Sequence, residues 1–599
     1  MSRVVAVVGG GISGLAAARV LAGARLASPE LRTGSGHQDG RPDIEIVLLE
    51  SDDRLGGKIL SGEFRGRSVD FGPDNFLTRN QSVTELCDQL GIGDDLVAPA
   101  TSSASVVARG RLHPLPAGLI LGLPPDLVAL ARSRIVSGRG LARAALDLLA
   151  LGAPISASSL GLSPEQAVNG HTGGGAAGAR DPGGPEWSAA SILESRLGRE
   201  LVERLVDPLL GGINAGGLDQ LSLVVVAPQV ARALVGHRSV TRALRLLARS
   251  TPKPSTSVSA KPRPFFLGMR GGLGRMVDAL VADLRDRGVQ LKTGTAVTAL
   301  RCARDRYELE TANGTIVADG VVLAAPGYVA ARLLVDEAPA AAAELGSIPH
   351  SSVSLVTLAW PSDAISGLPR GSGFLVPRCE GRIVTGCSFL SSKWPDSASA
   401  GEVVVRASTG RYGDERPSSM SDEELVDAVL VELRELIGAS VPPLASLVRR
   451  RPRAFPQYLP GHLRKIERAR AALSELPAVE LAGPSLGGIG IPACLTTGEK
   501  AGCCPAAVRA VAPGLFRSGT PRLGLEGQLD RRPGGSRLSR GCRAVRDRPR
   551  LGGQVHVSRL WRAHRPSFGD IRRRLRAPST RTGPGAGPRG TADARGVGA

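Results

Sequence analysis

Val4-Val5-Ala6-Val7-Val8 runs straight into Gly9-Gly10-Gly11-Ile12-Ser13-Gly14 and then Leu15-Ala16-Ala17-Ala18, and Ile44 to Leu49 leads later to Glu50. The order is apolar strand, glycine turn, small-residue helix, second strand, acid. It is the fingerprint of a dinucleotide-binding fold. Gly9 makes the tight turn, Gly11 lets the backbone approach a diphosphate, and Gly14 lets the helix lie against the strand. Ile12 and Ser13 open that helix, whose N-terminus faces the phosphates. Glu50 closes the second strand, where its carboxylate can accept from both ribose hydroxyls. A glycine turn without a ligand is the bland alternative. The position between a strand and a helix favours a nucleotide.

The next residues say which dinucleotide. Glu50 is followed by Ser51-Asp52-Asp53-Arg54-Leu55-Gly56-Gly57-Lys58. An Arg-x-Gly-Gly just after the ribose acid resembles the second loop of FAD-binding amine oxidases. Its glycines let the chain pass close to a flavin, and the arginine can pair with phosphate. A nicotinamide dehydrogenase does not need this loop. FAD is therefore the expected cofactor, with Ser51, Arg54, Gly57 and Lys58 in its site.

With 599 residues and 42% hydrophobic residues, the chain is long enough for several packed domains. The apolar N-terminal stretch is broken by glycines and lacks a basic lead, so it reads as a strand rather than a signal peptide. No uninterrupted apolar run is long enough to predict a membrane-spanning helix. The eight cysteines show no C-x-x-C and no zinc spacing, so neither disulfides nor a metal is expected. The net charge of +20 is uneven: residues 503–599 hold 21 arginines, no lysine and five acids, leaving 54 basic and 50 acidic residues before them. A nucleic-acid role would rest on this tail alone.

Gly-, Ser- and Pro-rich stretches at about 27–42, 170–185 and 251–264 read as surface insertions or a linker. Helical patterns fill 83–169 and 186–250, including 141–149 and 189–210. A helix opens at Gly268 and continues through Leu280. Strands are predicted over 289–300, 307–317, 320–326, 352–358, 382–387, 402–407 and 479–482, and a helix over 423–437. The predicted fold class is α/β. A discontinuous Rossmann-type FAD-binding domain is built from 1–82, 265–330 and 479–502. It is joined by a helical subdomain at 83–250 and a mixed-sheet substrate domain at 331–478, and 503–599 forms an Arg/Gly/Pro-rich tail.

Nine landmarks then line up over about 500 residues: GGGISGL at 9–15, DRLGGK at 53–58, DFGPDNFLTR at 70–79, RLHPLP at 111–116, VDPLLGGINAG at 206–216, GMRGGL at 268–273, SSKWP at 391–395, FPQYLPGH at 455–462 and AGPSLGGIGIPAC at 482–494. In this order they resemble the oxygen-dependent porphyrinogen oxidases of haem synthesis, within the flavin amine oxidase superfamily. GPDNFL, RLHPLP and SSKWP look more like the Gram-positive branch that oxidises coproporphyrinogen III than the branch that oxidises protoporphyrinogen IX. The resemblance implies a six-electron oxidation in three rounds. In each, a methylene bridge gives a hydride to the flavin, and O2 reoxidises the flavin to yield H2O2. No nucleophile is required, so no catalytic residue is nominated, and His113 and His462 read as ordinary loop or helix-end histidines.

By the same resemblance Gly72, Pro73, Asp74 and Asn75 pass the flavin, and the Val297 backbone lies near the adenine. Ile489, Gly490 and Ile491 meet the isoalloxazine at the start of the last helix, whose dipole favours an anionic reduced flavin. The substrate's propionates need cations, for which Arg79, Lys393 and Arg411 are candidates. Phe374, Leu375 and Phe389 are candidates to face the macrocycle, with core packing as the alternative. The resemblance also implies a cytoplasmic protein with a helical region able to touch the inner membrane face. It leaves open which haem-pathway enzyme, an iron chelatase or a decarboxylase, receives the product.

Two departures stand out. Arg451 occupies a position where relatives commonly carry a tryptophan lining the flavin region. After Gly498-Glu499-Lys500-Ala501 the chain leaves the family pattern at Gly502-Cys503-Cys504-Pro505, where Pro505 is expected to break the closing helix. The tail reads as out-of-frame translation or as a basic arm for RNA or anionic lipid. Competing functions are an amine oxidase or carotenoid desaturase, and an inactive flavoprotein-like chain. Four Trp and four Tyr in the whole chain argue against an aromatic cage for an amine.

Overall fold

A computed structural model describes residues 3–27, 44–162, 186–250, 264–304, 306–365 and 367–503. The insertions read at 27–42, 170–185 and 251–264 fall, apart from their end residues, outside the described residues. So do Cys504, Pro505 and the rest of the tail.

Five parallel strands form the sheet that carries the dinucleotide motif. Their order is Gln290–Lys292, Ile44–Leu49, Arg3–Val8, Gly320–Leu323 and Val479–Leu481. A parallel sheet needs cover on both faces, and apart from the edge strand Gln290–Lys292, whose Gln290 and Lys292 are exposed, the strands are largely buried. Val5 and Val7 enter one core with Ile44, Ile46 and Leu48, while Ala6 and Val8 enter another with Val47 and Leu49. Ile12–Ala27 and Ile491–Gly502 lie together on the first face. Small residues let these helices approach: a Cβ on Gly498 would sit 2.0 Å from the Ser13 carbonyl oxygen, and one on Gly502 would sit 2.7 Å from that of Ala17.

A second sheet of seven strands runs Ala445–Pro456, His350–Pro361, Glu402–Thr409, Val384–Phe389, Gly373–Leu375, Ser105–Ala108 and Arg111–Pro114. It is antiparallel except where Phe374 and Leu375 pair in parallel with Ser105 and Val106. The helix Asp422–Ile437 covers one face through Leu425, Val429, Leu433 and Ile437. Its start is set by a capping box between Ser421 and Glu424. Parallel and mixed sheets with packed helices make the chain an α/β protein.

The structure departs from the sequence expectations in several places, among them the strand Ala445–Pro456, which is not one of the expected strands. The segment read as helical from 83 includes the hairpin Ser105–Ala108 and Arg111–Pro114, because short alternating strands joined by Arg109-Gly110 carry no helical period. The helix read over 189–210 is broken at Gly198, whose φ of 85° no helix accommodates. It resumes as Arg199–Leu201 and a π-helix, Val202–Gly211, that contains Pro208. The single strand read over 289–300 is two, Gln290–Lys292 and Val297–Ala303, which belong to different sheets. Gly268 belongs to the strand Phe266–Met269, and the helix begins only at Gly274.

Candidate cofactor and substrate site

The site is built where three loops meet over the first helix. Gly9 has φ 109°, and a Cβ there would lie 2.9 Å from the Ala324 carbonyl. A Cβ on Gly14 would lie 1.9 Å from the Gly9 oxygen, so this helix can reach its strand only with glycine at that position. A Cβ on Gly11, in contrast, meets nothing within 4 Å. That is the open approach a diphosphate needs at a helix N-terminus. The Gly56–Gly57 loop folds back over this turn: Gly56 donates to the Gly10 carbonyl at 2.8 Å, and a Cβ on Gly57 would stand 3.2 Å from the Gly11 Cα.

Glu50 is buried, and its carboxylate organises the turn. Oε2 accepts from the Gly10 amide at 2.6 Å, and Oε1 accepts from the Ser51 hydroxyl at 3.0 Å and the Asp52 amide at 2.9 Å. A carboxylate has about four acceptor positions, so capacity remains for a ribose hydroxyl. The neighbouring Gly294 and Thr295 amides donate to the Asp52 and Glu50 carbonyls at 2.8 and 2.7 Å, which brings the buried Val297 beside the ribose acid. These features fit a dinucleotide: an open glycine edge, a carboxylate with spare acceptors, and a covering loop.

Several candidates have other partners. Arg54 does not stand free for phosphate, because its guanidinium donates to the carbonyls of Leu55, Ile59 and Gly57 at 3.1, 3.2 and 2.5 Å and so shapes its own loop. The Ser13 hydroxyl ties the first helix to the last by donating to the Cys494 carbonyl at 2.8 Å. Gly490 caps the last helix, with Ile491 buried in the sheet core and Ile489 packed against the helical core. Burial pushes the Cys494 thiol up to about 11, so it stays protonated at neutral pH.

Asp74 and Lys393, drawn from the cofactor and substrate sets, pair with each other. Lys393 Nζ lies 2.8 Å from Asp74 Oδ2, Trp394 Nε1 donates to the same oxygen at 3.0 Å, and Arg406 NH2 is 3.5 Å from Oδ1. Burial pushes the Asp74 carboxyl up, but Arg406 and Lys393 outweigh it and hold the group well below the usual carboxylate range. Arg406 also donates to the carbonyls of Asp70 and Gly72 at 2.5 and 2.9 Å. A Cβ on Gly72 would lie 2.1 Å from the Lys58 carbonyl, and the Asn75 amide donates to Asp74 at 2.9 Å, so 72–75 is clamped against the cofactor loop. Arg406 and Trp394 were not among the candidates. A lone arginine in the apolar strand Glu402–Thr409 is the signal that could have found the first.

Phe374 and Phe389 are corrected outright. Both are buried in the core under the sheet, with ring centroids 5.9 Å apart, so neither faces a ligand space. Lys393 differs from them: it is not in that core, and its charge is matched by Asp74. Arg79 is exposed and donates to Gln229. Arg411 alone of the five substrate candidates lines the described cleft. This cleft encloses about 110 Å³ and opens to solvent, less than the range of about 300–1,000 Å³ for a fully formed small-molecule site. Its walls are Asp207 and Pro208 of the π-helix, the Gly212–Gly216 turn, Val353 and Leu355 of the long strand, and Phe455. Burial and the nearby Arg378 push the Arg411 guanidinium down, with Asp414 and Asp207 compensating. This half-satisfied cation suits a carboxylate. His462 is buried against Tyr458 and is not among the residues that line the cleft, and burial pushes it down to about 4.

Residues 12–504 match the family of flavin containing amine oxidoreductases. The chain belongs to that family. It is an oxidoreductase, and its cofactor is FAD. It is 32% identical over 500 residues to the coproporphyrinogen III oxidase of Bacillus subtilis (strain 168), covering 83% of this chain and 96% of that one. It is 28% identical over 504 residues to the coproporphyrinogen III oxidase of Staphylococcus aureus, covering 84% and 98%. Among solved structures, a protein described as a protoporphyrinogen oxidase from Exiguobacterium sp. 255-15 superposes with a TM-score of 0.67 at 30% identity, over 84% of this chain and 98% of the other. Among the described residues no helix is long and apolar enough to cross a membrane, and no group of acidic, His and Cys side chains could hold a metal ion.

Proposed function

We propose that this flavoenzyme oxidises coproporphyrinogen III to coproporphyrin III, with O2 as the final acceptor and H2O2 as the by-product. The observation that carries this reading is a half-buried arginine, Arg411, in a cleft whose wall includes Val353, the registered neighbour of Arg451 at the cofactor loop. The names of the two bacterial relatives support it. Protoporphyrinogen IX is the second reading, favoured by the Exiguobacterium structure.

FAD, when bound, would accept two electrons in each of three rounds, and O2 would reoxidise it after each. The chain's own residues bind and orient. Arg411 holds a propionate carboxylate. Val353, Leu355 and Phe455 pack against the edge of the puckered macrocycle that carries this propionate and exclude water. Asp74, Lys393 and Arg406 fix the 72–75 segment, so that cleft and cofactor loop keep one spacing. The expected result is that full-length protein with added FAD converts coproporphyrinogen III to a fluorescent porphyrin well above spontaneous air oxidation, and faster than it converts protoporphyrinogen IX. Faster turnover of the second substrate would reverse the assignment, and neither reaction above background would remove it.

Peripheral membrane contact belongs to the same reading. Leu146, Leu149 and Leu151 are 51%, 59% and 81% exposed beside the arginine-bearing helix Val240–Ser250. Co-sedimentation with anionic vesicles is expected, and retention in the supernatant counts against it.

A further inference from the structure

Arg451 has no matched partner. Its Nε and NH2 are buried and bond to no acceptor. It lies on the strand Ala445–Pro456, opposite Val353, just past the bulge between Ser351 and Val353. Arg54, Lys58 and Asp52, of the loop that folds over the dinucleotide turn, lie within electrostatic range of its side chain. Arg449, two residues earlier, adds a further positive charge and lies over the Phe71 ring at 5.1 Å. Nearby His350 donates from Nδ1 to the Ile348 carbonyl at 2.9 Å, and burial pushes it down to about 4, so its ring adds no charge. Cationic side chains therefore gather at this loop, and the Asp52 carboxylate offsets Arg451.

Such a collection is unstable by itself. Burial and the neighbouring Arg54 both push the Arg451 guanidinium down, and burial pushes the Lys58 ammonium down. Buried cations are retained where an anion meets them. The Arg54 guanidinium is already engaged by three loop carbonyls, so it does not compete. Lys58 follows Gly57, which touches Gly11, and the Gly11 edge is open. Lys58 thus borders the open Gly11 edge, and Arg451 lies within electrostatic range of Lys58.

We propose that Arg451 is a cofactor-positioning residue that, with Lys58, supplies positive charge to the diphosphate of FAD from the substrate-side sheet. On this reading the arginine tightens cofactor binding, and FAD affinity depends on salt more steeply than helix-terminus amides alone would make it. The inference rests on FAD binding and is independent of which porphyrinogen is oxidised.

The test titrates FAD into full-length apo-protein and follows flavin fluorescence, with no substrate present. Arg451→Met and Arg451→Gln are expected to raise the dissociation constant at least about tenfold, as for losing a charge-assisted hydrogen bond. Their affinity should fall less steeply with salt, and inorganic pyrophosphate should displace FAD less well from them than from the wild-type chain. Arg451→Lys should recover part of each effect. Two uncharged variants are used so that misfolding of one, checked by circular dichroism of the apo-protein, leaves the comparison standing. Wild-type affinity with unchanged salt dependence in the folded variants overturns the proposal. Equal weakening in all three with unchanged pyrophosphate competition also overturns it, because that pattern marks a packing role. A wild-type chain that does not take up FAD removes the cofactor assignment itself.

Discussion

Replacing Asp74 with alanine is expected to lower folding stability by about 3–5 kcal/mol, the range for stripping one partner from a buried charge cluster. Lys393, Trp394 and Arg406 all converge on this carboxylate, and both cations are themselves largely buried. Without it they retain their charge and lose their acceptor. Asp74→Asn keeps an oxygen for the Trp394 indole but no charge, and should fall between wild type and alanine. The pH dependence has a definite sign. The Asp74 pKa is depressed on folding, so its contribution is full above the unfolded carboxylate value of about 3.9 and fades as pH falls below it. Asp70 works in the opposite direction. Burial pushes its carboxyl up to about 6, with Ser61 and the Leu273 amide pulling back and the Asp74 charge adding to the rise. Between about pH 4 and pH 6 the folded state holds a proton that the unfolded state has released, so this group weakens the fold as pH rises through that window. Removing the Asp74 charge should lower the Asp70 value and flatten that part of the profile. Urea unfolding at several pH values measures both effects. An Asp74→Ala protein within about 1 kcal/mol of wild type would mean that the cations find other partners at little cost.

Replacing Gly498 with alanine is expected to separate the first and last helices and release the cofactor. The added methyl would stand 2.0 Å from the Ser13 carbonyl oxygen and 3.0 Å from the Ala16 Cβ, and backbone cannot turn aside as a flexible side chain does. Overpacking of this kind costs about 3 kcal/mol when the neighbours cannot yield. The same displacement would strain the Ser13 to Cys494 hydrogen bond that sets the start of the last helix. FAD affinity should fall with stability. Gly23→Ala on the first helix is the control: its added methyl meets only the Arg287 side chain, at 3.9 Å, and helix propensity there favours alanine by about 0.8–1.0 kcal/mol. Thermal unfolding and flavin retention read both variants. Normal flavin content in Gly498→Ala would show that the helices have room the packing does not suggest.

The strand, turn and helix at 3–27 are legible in the sequence because their causes are local. Gly9 is demanded by a turn of its own chain and Gly14 by a contact five residues away, and the valine run marks a strand covered on both faces. Glu50 is legible for a similar reason, since it ends a strand that the same motif places beside the first. The helix Asp422–Ile437 announces its own start through Ser421 and Glu424. Lys393 reads as a free cation because nothing near it in sequence reveals Asp74, which is 319 residues away. Phe374 and Phe389 read as possible ligand contacts because an alternating strand does not say which sheet face is covered, and a separate helix decides that. Arg54 is a plausible phosphate ligand until the loop closes and offers it three carbonyls. The sequence by itself determined the dinucleotide turn, its acid and the helix Asp422–Ile437, all of which depend on residue type within a few positions. Tertiary structure alone decided which charges are matched and which cation faces open space, because charge pairing depends on distances that the chain sets only when its two sheets meet.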